Sequence, residues 1–189
     1  MQAVFEGVGD YTCEVELIFY QEGSEDQRYR FKYYFKKEKR IRVDFYSPYP
    51  TLSLFYGSTG GEVVAVPLRQ VGLIKFHFSP NNPKVQTIAG QQIDQTDMGY
   101  FIEFLSENAK KVPQEEDELE EDEDQVRFWF RALDYVRGKE IEKYRIFISK
   151  ENWLPIRIER YTLDGKPLEL SVIKNYTINT RLEDKLFIP

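Results

Sequence analysis

The strongest constraint lies in the last third of the chain. Residues 126–136, 141–149, 154–163 and 167–178 form four apolar-rich segments joined by "VRGKE", "KENW" and "LDGKP". Neighbouring side chains on a strand point to opposite faces, so alternation of this kind describes half-buried β-strands. Regular spacing with turn residues between predicts an antiparallel meander. In "ENWLPIRIERYTLDGKPLELSVIKNYTIN" one face is expected to be nearly all aliphatic: Leu154, Ile156 and Ile158, then Leu168, Leu170 and Val172.

The first half repeats the pattern. Residues 11–20 set Cys13, Val15, Leu17 and Phe19 against Glu14 and Glu16. Residues 28–48 read as a hairpin. Tyr29, Phe31, Tyr33 and Phe35 share a face with Ile41, Val43 and Phe45, while Arg28, Arg30, Lys32, Arg40, Arg42 and Asp44 form a solvated face. Residues 52–56, 62–67 and 73–78 are three more strands, with "GSTGG" a turn, and Pro80 and Pro83 then force a loop. One helix is expected from Asp97 to Lys111, capped by Thr96 or Asp97, with Lys110 and Lys111 at its negative end. Met98, Phe101, Ile102 and Leu105 stand at helical spacing, and Tyr100 and Phe104 widen the stripe. A helix apolar over most of its circumference is usually buried, so it is expected to seat in the concavity of the sheet. The tail "LEDKLFIP" is expected to tuck against the sheet.

The expected fold is mainly β: an antiparallel incomplete barrel of about nine to eleven strands, with one or two helices covering an apolar concavity. No strand–helix alternation appears, which excludes a doubly wound nucleotide fold. A chain of 189 residues suits a single domain over 1–189 and buries about 70% of its unfolded surface. Aromatics at 15% favour strands.

Net charge is −6, yet residues 115–124, "EEDELEEDED", hold nine acidic residues. Without them the charge is −6 + 9 = +3. The span 113–125 reads as a solvated, mobile acidic loop; the sharper readings are a docking patch for a basic partner or a loose divalent-cation site. The run lacks the Gly and ligand alternation of an EF-hand.

Catalytic chemistry finds little support. His77 is the sole histidine and Cys13 the sole cysteine, far apart in sequence, which argues against Cys–His catalysis and against a structural zinc site. No P-loop or GxGxxG occurs, and "GSTGG" joins two strands, a poor phosphate cradle. No carboxylate pair is flanked by features that raise a pKa. No enzyme, catalytic residue, metal or cofactor is therefore expected. Nucleic-acid binding is not expected either, because Tyr29, Phe31, Tyr33 and Phe35 oppose the basic residues and the net charge is negative. No stretch approaches 18 apolar residues, so no membrane-spanning helix is expected. Val4, Phe5 and Val8 read as the end of an amphipathic helix within residues 1–10, preceded by a targeting segment that has been removed.

Taken whole, "NWLPIRIERYTLDGKPLELSVIKNYTINTRLEDKLFIP" resembles the ending of the LolA-like outer-membrane lipoprotein-sorting family. The matching residues are Pro155, Asp164, Gly165, Asn179, Leu182, Asp184, Leu186, Phe187 and Pro189. "YYFKKEKRIRVDFYSP" is similar to the family's early strand, basic turn and strand, and the strands at 52–67 to its next pair.

That resemblance implies an incomplete barrel with helices as a lid over an open apolar interior. It implies a periplasmic carrier of the acyl chains of lipoproteins or phospholipids, working as a monomer with inner- and outer-membrane transfer proteins. The alternative within the same fold is a periplasmic sensor or interaction module that binds lipid and a partner protein. The greasy face would then line a cavity, with Phe31, Phe35, Val43, Phe45, Leu54, Phe101, Leu105, Phe128, Phe130, Ile146, Ile156 and Ile158 as its lining. The family's lid latch is an arginine in the basic turn beside a proline. Here the turn reads Lys36–Lys37–Glu38–Lys39 without a proline, so Lys37 is the nearest match and Arg40 the alternative.

Overall fold

In the computed structural model, residues 2–58, 60–69, 71–112 and 119–189 are described. A short helix α1 (Gln2–Glu6) precedes β1 (Asp10–Phe19), β2 (Gln27–Lys36), β3 (Arg40–Ser47), β4 (Ser53–Tyr56), β5 (Val63–Val66) and β6 (Phe76–Phe78). Helix α2 (Met98–Asn108) continues into a 3-10 turn, Ala109–Lys111. Then come β7 (Leu119–Glu121), β8 (Gln125–Leu133), β9 (Ile141–Ser149), β10 (Pro155–Tyr161) and β11 (Pro167–Ile178). The strands form one antiparallel sheet in the order β6-β5-β4-β3-β2-β1-β11-β10-β9-β8-β7. Its ends are β6 and β7, so the sheet does not close, consistent with the expected fold class. The expected helix and all the expected strands are present.

One difference lies in the acidic run. Residues 119–121 are not loop but edge strand β7, paired with β8. Cations on its neighbours hold the carboxylates there: Arg127 reaches Glu120 at 3.2 Å and Asp122 at 2.7 Å, and Lys150 reaches Glu121 at 2.6 Å. The backbone N–H of Gln125, with further donors, keeps Asp122 below the usual carboxylate range. Of the rest of the expected loop, residues 113–118 lie outside the described residues.

The chain divides into two compact units. The first contains Met1–Glu6, Glu16–Arg28 and Met98–Ile173; the second contains Gly7–Val15, Tyr29–Asp97 and Lys174–Pro189.

In the first unit, β9 alternates strictly between buried and more exposed positions. Phe128, Ile146 and Ile158 form one cross-strand row, and Phe130, Tyr144 and Arg160 the next. Tyr144, Ile146 and Ala132 are completely buried. Helix α2 lies on this face: Phe104 packs edge-on to Tyr135 at 6.2 Å and against Tyr144 at 6.3 Å. Met98, Ile102 and Phe104 are buried, while Glu103 and Glu107 are exposed.

In the second unit, β2 and β3 are joined by a tight turn with Glu38 and Lys39 both at positive φ, the turn geometry that matches strand twist. Gly57 packs against it: a Cβ there would stand 2.1 Å from the Lys39 carbonyl oxygen, and φ is +90°. Only glycine fits. The tail does tuck in, as expected. Phe187 is completely buried, and a chain of polar contacts straps residues 180–189 down. Thr180 and Leu182 donate backbone N–H to the Asp10 carboxylate. Lys36 donates to Leu182 O and Asp184, Arg42 to Leu186 O, Ser58 to Phe187 O and Lys75 to Pro189 O.

Candidate functional site

The second unit holds Phe31, Phe35, Val43, Phe45 and Leu54 of the expected lining. Register places all five on one face. Tyr33, Val43, Leu54, Ala65 and Phe76 stand in a single cross-strand row, flanked by the pairs Phe31–Phe45 and Phe35–Ile41. The row is covered unevenly. Tyr33, Phe35, Ile41 and Val43 are buried, whereas Phe31, Phe45 and Leu54 are only half-buried and Phe76 is 51% exposed. The buried end is roofed by the segment before α2. Tyr33 Oη and Thr96 Oγ1 share a hydrogen bond of 3.0 Å, and Val85, Ile93 and Asp97 are buried. Burial raises the Tyr33 hydroxyl well above its ordinary pKa, reinforced by Asp97. The Tyr11 ring stacks on Tyr33 at 6.0 Å and on Phe35 at 5.0 Å. Nearby Cys13 is buried, and that burial, then Glu14, pushes its thiol pKa up; a thiol of this kind is inert.

The face expected to be solvated in this unit is partly buried. Asp44 is 6% exposed, accepts from Arg42 Nε and Nη2 at 2.9 Å each, and accepts from Ser53 Oγ at 2.6 Å. Arg42 also lies over the Phe55 ring at 5.2 Å, and Phe55, Val64 and Val66 form an apolar cluster. The alternation was right, but Arg42 and Asp44 pair with each other and carry the strap. Of the two latch candidates, Lys37 has an exposed side chain, and Arg40 gives its guanidinium to Asp184 at 2.8 Å and Glu38 at 3.3 Å. Arg40 thus anchors the C-terminal strap.

The first unit holds the other seven lining candidates. Phe128, Phe130, Ile146 and Ile158 share the face under α2; Ile146 and Ile158 are buried, and the two phenylalanines are half-buried. Phe101 on α2 is half-buried, and the Leu105 side chain lies outside the described residues. Ile156 departs from expectation. Pro155 pairs with Ile148 and Arg157 with Phe147, so Ile156 sits in a β-bulge and has no cross-strand partner. The all-aliphatic face expected across β10 and β11 is likewise corrected. Ile158 pairs with Ser171 and Arg160 with Glu169, while Leu170 and Val172 pair with Glu159 and Arg157. The aliphatic residues of the two strands therefore point to opposite faces. A second irregularity, between Arg160 and Tyr161, sets that register, and a one-residue offset moves a whole strand's side chains across the sheet.

That offset brings together a polar cluster no sequence signal marked. Arg160 donates from Nε and Nη2 to Glu142 at 2.9 Å and from Nη1 to Glu169 at 2.6 Å. Tyr135 donates to Glu169 at 2.8 Å and Tyr144 to Glu142 at 3.2 Å. Burial works against the Arg160 charge, but Tyr135, Glu169 and Glu142 outweigh it and hold the guanidinium protonated. Among the described residues, no group of three or more His, Cys, Asp or Glu stands close enough to hold a metal ion, and no helix is long and apolar enough to cross a membrane.

No protein-family model matches the chain, and no curated protein matches it in sequence. Solved structures do resemble it. An uncharacterised conserved protein from Thermus thermophilus matches with 12% identity and a TM-score of 0.51, over 98% of this chain and 91% of its own. The Pseudomonas aeruginosa MucA/MucB complex matches with 9% identity and a TM-score of 0.51, over 100% of this chain and 60% of its own. A LolA superfamily protein from Nitrosomonas europaea matches with 13% identity and a TM-score of 0.42, over 100% of this chain and 97% of its own. At these identities, what the chain shares with the two structures of TM-score 0.51 is the fold.

Proposed function

We propose that the chain is a non-catalytic binder of acyl chains, serving as a periplasmic carrier for lipid or the lipid part of lipoproteins. The observation that carries this reading is the row Val43, Leu54, Ala65, Phe76 with its flanking Phe31–Phe45 pair. Val43 and Ala65 are buried, but Leu54, Phe31 and Phe45 are only half-buried and Phe76 at the β6 edge is 51% exposed. Contiguous exposed apolar surface marks a binding site. An acyl chain laid on it gains about 0.8 kcal/mol per buried methylene without polar chemistry. In the first unit, α2 covers apolar strands of its own through Phe104, and a cover of this kind must move for any ligand to reach them.

Native mass spectrometry of protein purified from a lipid-containing host is expected to show bound fatty acid or phospholipid. Titration with a fluorescent fatty acid is expected to saturate at one or a few equivalents. Protein that is empty after every preparation and leaves the probe unquenched would refute the reading.

A further inference from the structure

The opposite face of β8–β10 carries no part of the acyl-binding surface, yet it has the composition of an interface. We propose that this face docks an acidic, apolar-containing segment of a partner protein. Its rings and cations are interleaved by register: Arg127 stands opposite Phe147, which stands opposite Arg157, and in the next row Trp129 is followed by Arg145 and Glu159. Arg145 lies over Trp129 at 5.1 Å and over Phe147 at 4.9 Å, and Arg157 caps Phe147 at 5.4 Å. Trp129 meets Tyr161 at 5.5 Å. Trp, Tyr and Arg are the residues that dominate the energetics of protein interfaces.

Charge selects the occupant. Among the described residues, Arg127 is held by Glu120 and Asp122 and Arg157 by Glu159, which leaves Arg145 and, in the third row, Lys143 as the cations an incoming carboxylate can reach. Glu159 is nearly fully buried and engaged by Arg157 at 2.5 Å. Arg145 is 3.9 Å from Glu120, too long for a hydrogen bond. An incoming carboxylate fits Arg145, with Trp129 and Tyr161 beside it to receive an apolar side chain. A bilayer is a poorer occupant, because the rings lie under guanidinium groups and half-buried in the sheet, and do not project to insert. A nucleic acid is poorer too, since Glu120 and Glu159 stand in the rows where phosphates would lie. The proposal concerns the face of β8–β10 opposite α2 and stands or falls independently of the acyl row.

The test is a selection of short random peptides on the intact chain, repeated on the same chain carrying Arg145→Gln and Arg157→Gln. The expected result is enrichment of Asp/Glu-rich peptides with interspersed apolar residues. A synthetic copy of the best peptide should bind the double variant roughly tenfold more weakly, and raised salt should weaken its binding to the unaltered chain. Arg157→Gln alone removes a side chain that is 45% exposed and leaves the Tyr161 hydroxyl as a donor to Glu159; it should show a smaller loss in the same direction, with circular dichroism used to check that the fold is retained. Enrichment of neutral or basic peptides, or equal binding by the variants, overturns the proposal. So does tighter binding to a single-stranded oligonucleotide or to phosphatidylglycerol vesicles than to the selected peptide. Self-association that disappears in the double variant also overturns it, by giving the face to a second copy of the chain.

Discussion

Arg160 donates to Glu169 at 2.6 Å while its other edge grips Glu142, so one buried cation sits between two buried carboxylates on the apolar face beneath α2. Removing one partner of a buried ion cluster leaves uncompensated charge. Arg160→Leu is expected to lower the free energy of unfolding by about 3–5 kcal/mol, read from urea denaturation. A loss well under this range would mean that Tyr135 and Tyr144 satisfy the carboxylates unaided.

The half-buried apolar row separates binding from stability. Leu54→Asp and Phe45→Asp place a charge where an acyl chain would lie, yet neither site is fully buried. Each is expected to weaken fatty-acid probe binding by roughly tenfold or more while the circular dichroism spectrum stays native. Wild-type affinity in both variants would move the ligand off this face.

Phe104 is the ring through which α2 holds the strands beneath it. Phe104→Ala removes its packing on Tyr135 and Tyr144, and large-to-small changes of this type cost about 3–5 kcal/mol in a rigid core. If the helix is a movable cover, part of that cost falls on the closed state alone. Probe affinity should then rise while thermal stability falls. A fall in both would show that α2 is fixed core.

The C-terminal strap responds to acid. Hydrogen bonds from Lys36 and then Arg40 hold the Asp184 carboxyl below its usual range. A lowered folded pKa means the contribution is complete above the unfolded value, about 3.9, and is lost as pH falls through the lower folded value. Amide NMR signals of Leu186 and Phe187 should therefore be constant from neutral pH down to about 5 and shift only below about 4. Asp184→Asn should abolish that local step. Asp134 is also held low, four backbone donors in its turn overcoming the opposing effect of burial, so the readout must be taken at the strap itself.

Cys13 offers a probe of the second unit's core. Its thiol is buried and its pKa is pushed up, so Ellman's reagent at mildly alkaline pH should react only at the rate of unfolding. Immediate reaction in the native state would show that β1 opens locally.

Much of this architecture was legible in the sequence. The strands from Asp10 to Ile178, helix α2 and the docked tail all carry local signals: period-two alternation, helical spacing after Thr96, and apolar residues closing the chain. The grouping of Phe31, Phe35, Val43, Phe45 and Leu54 was legible too, because a tight hairpin turn fixes register over a short range. Only the tertiary structure decided the rest. Alternation says which residues of one strand share a side, but not which side of the neighbour they meet. The bulge at Ile156 and the irregularity at Tyr161 turn Leu170 and Val172 away from Ile158 and put Glu169 beside Arg160. Arg42 and Asp44 read as solvated charges, but Arg42 reaches the strap, more than a hundred residues later in sequence, and Asp44 is buried against Arg42 and Ser53. Local chemistry sets each strand's two faces; the pairing of distant strands, fixed by bulges and long-range packing, determines what those faces enclose.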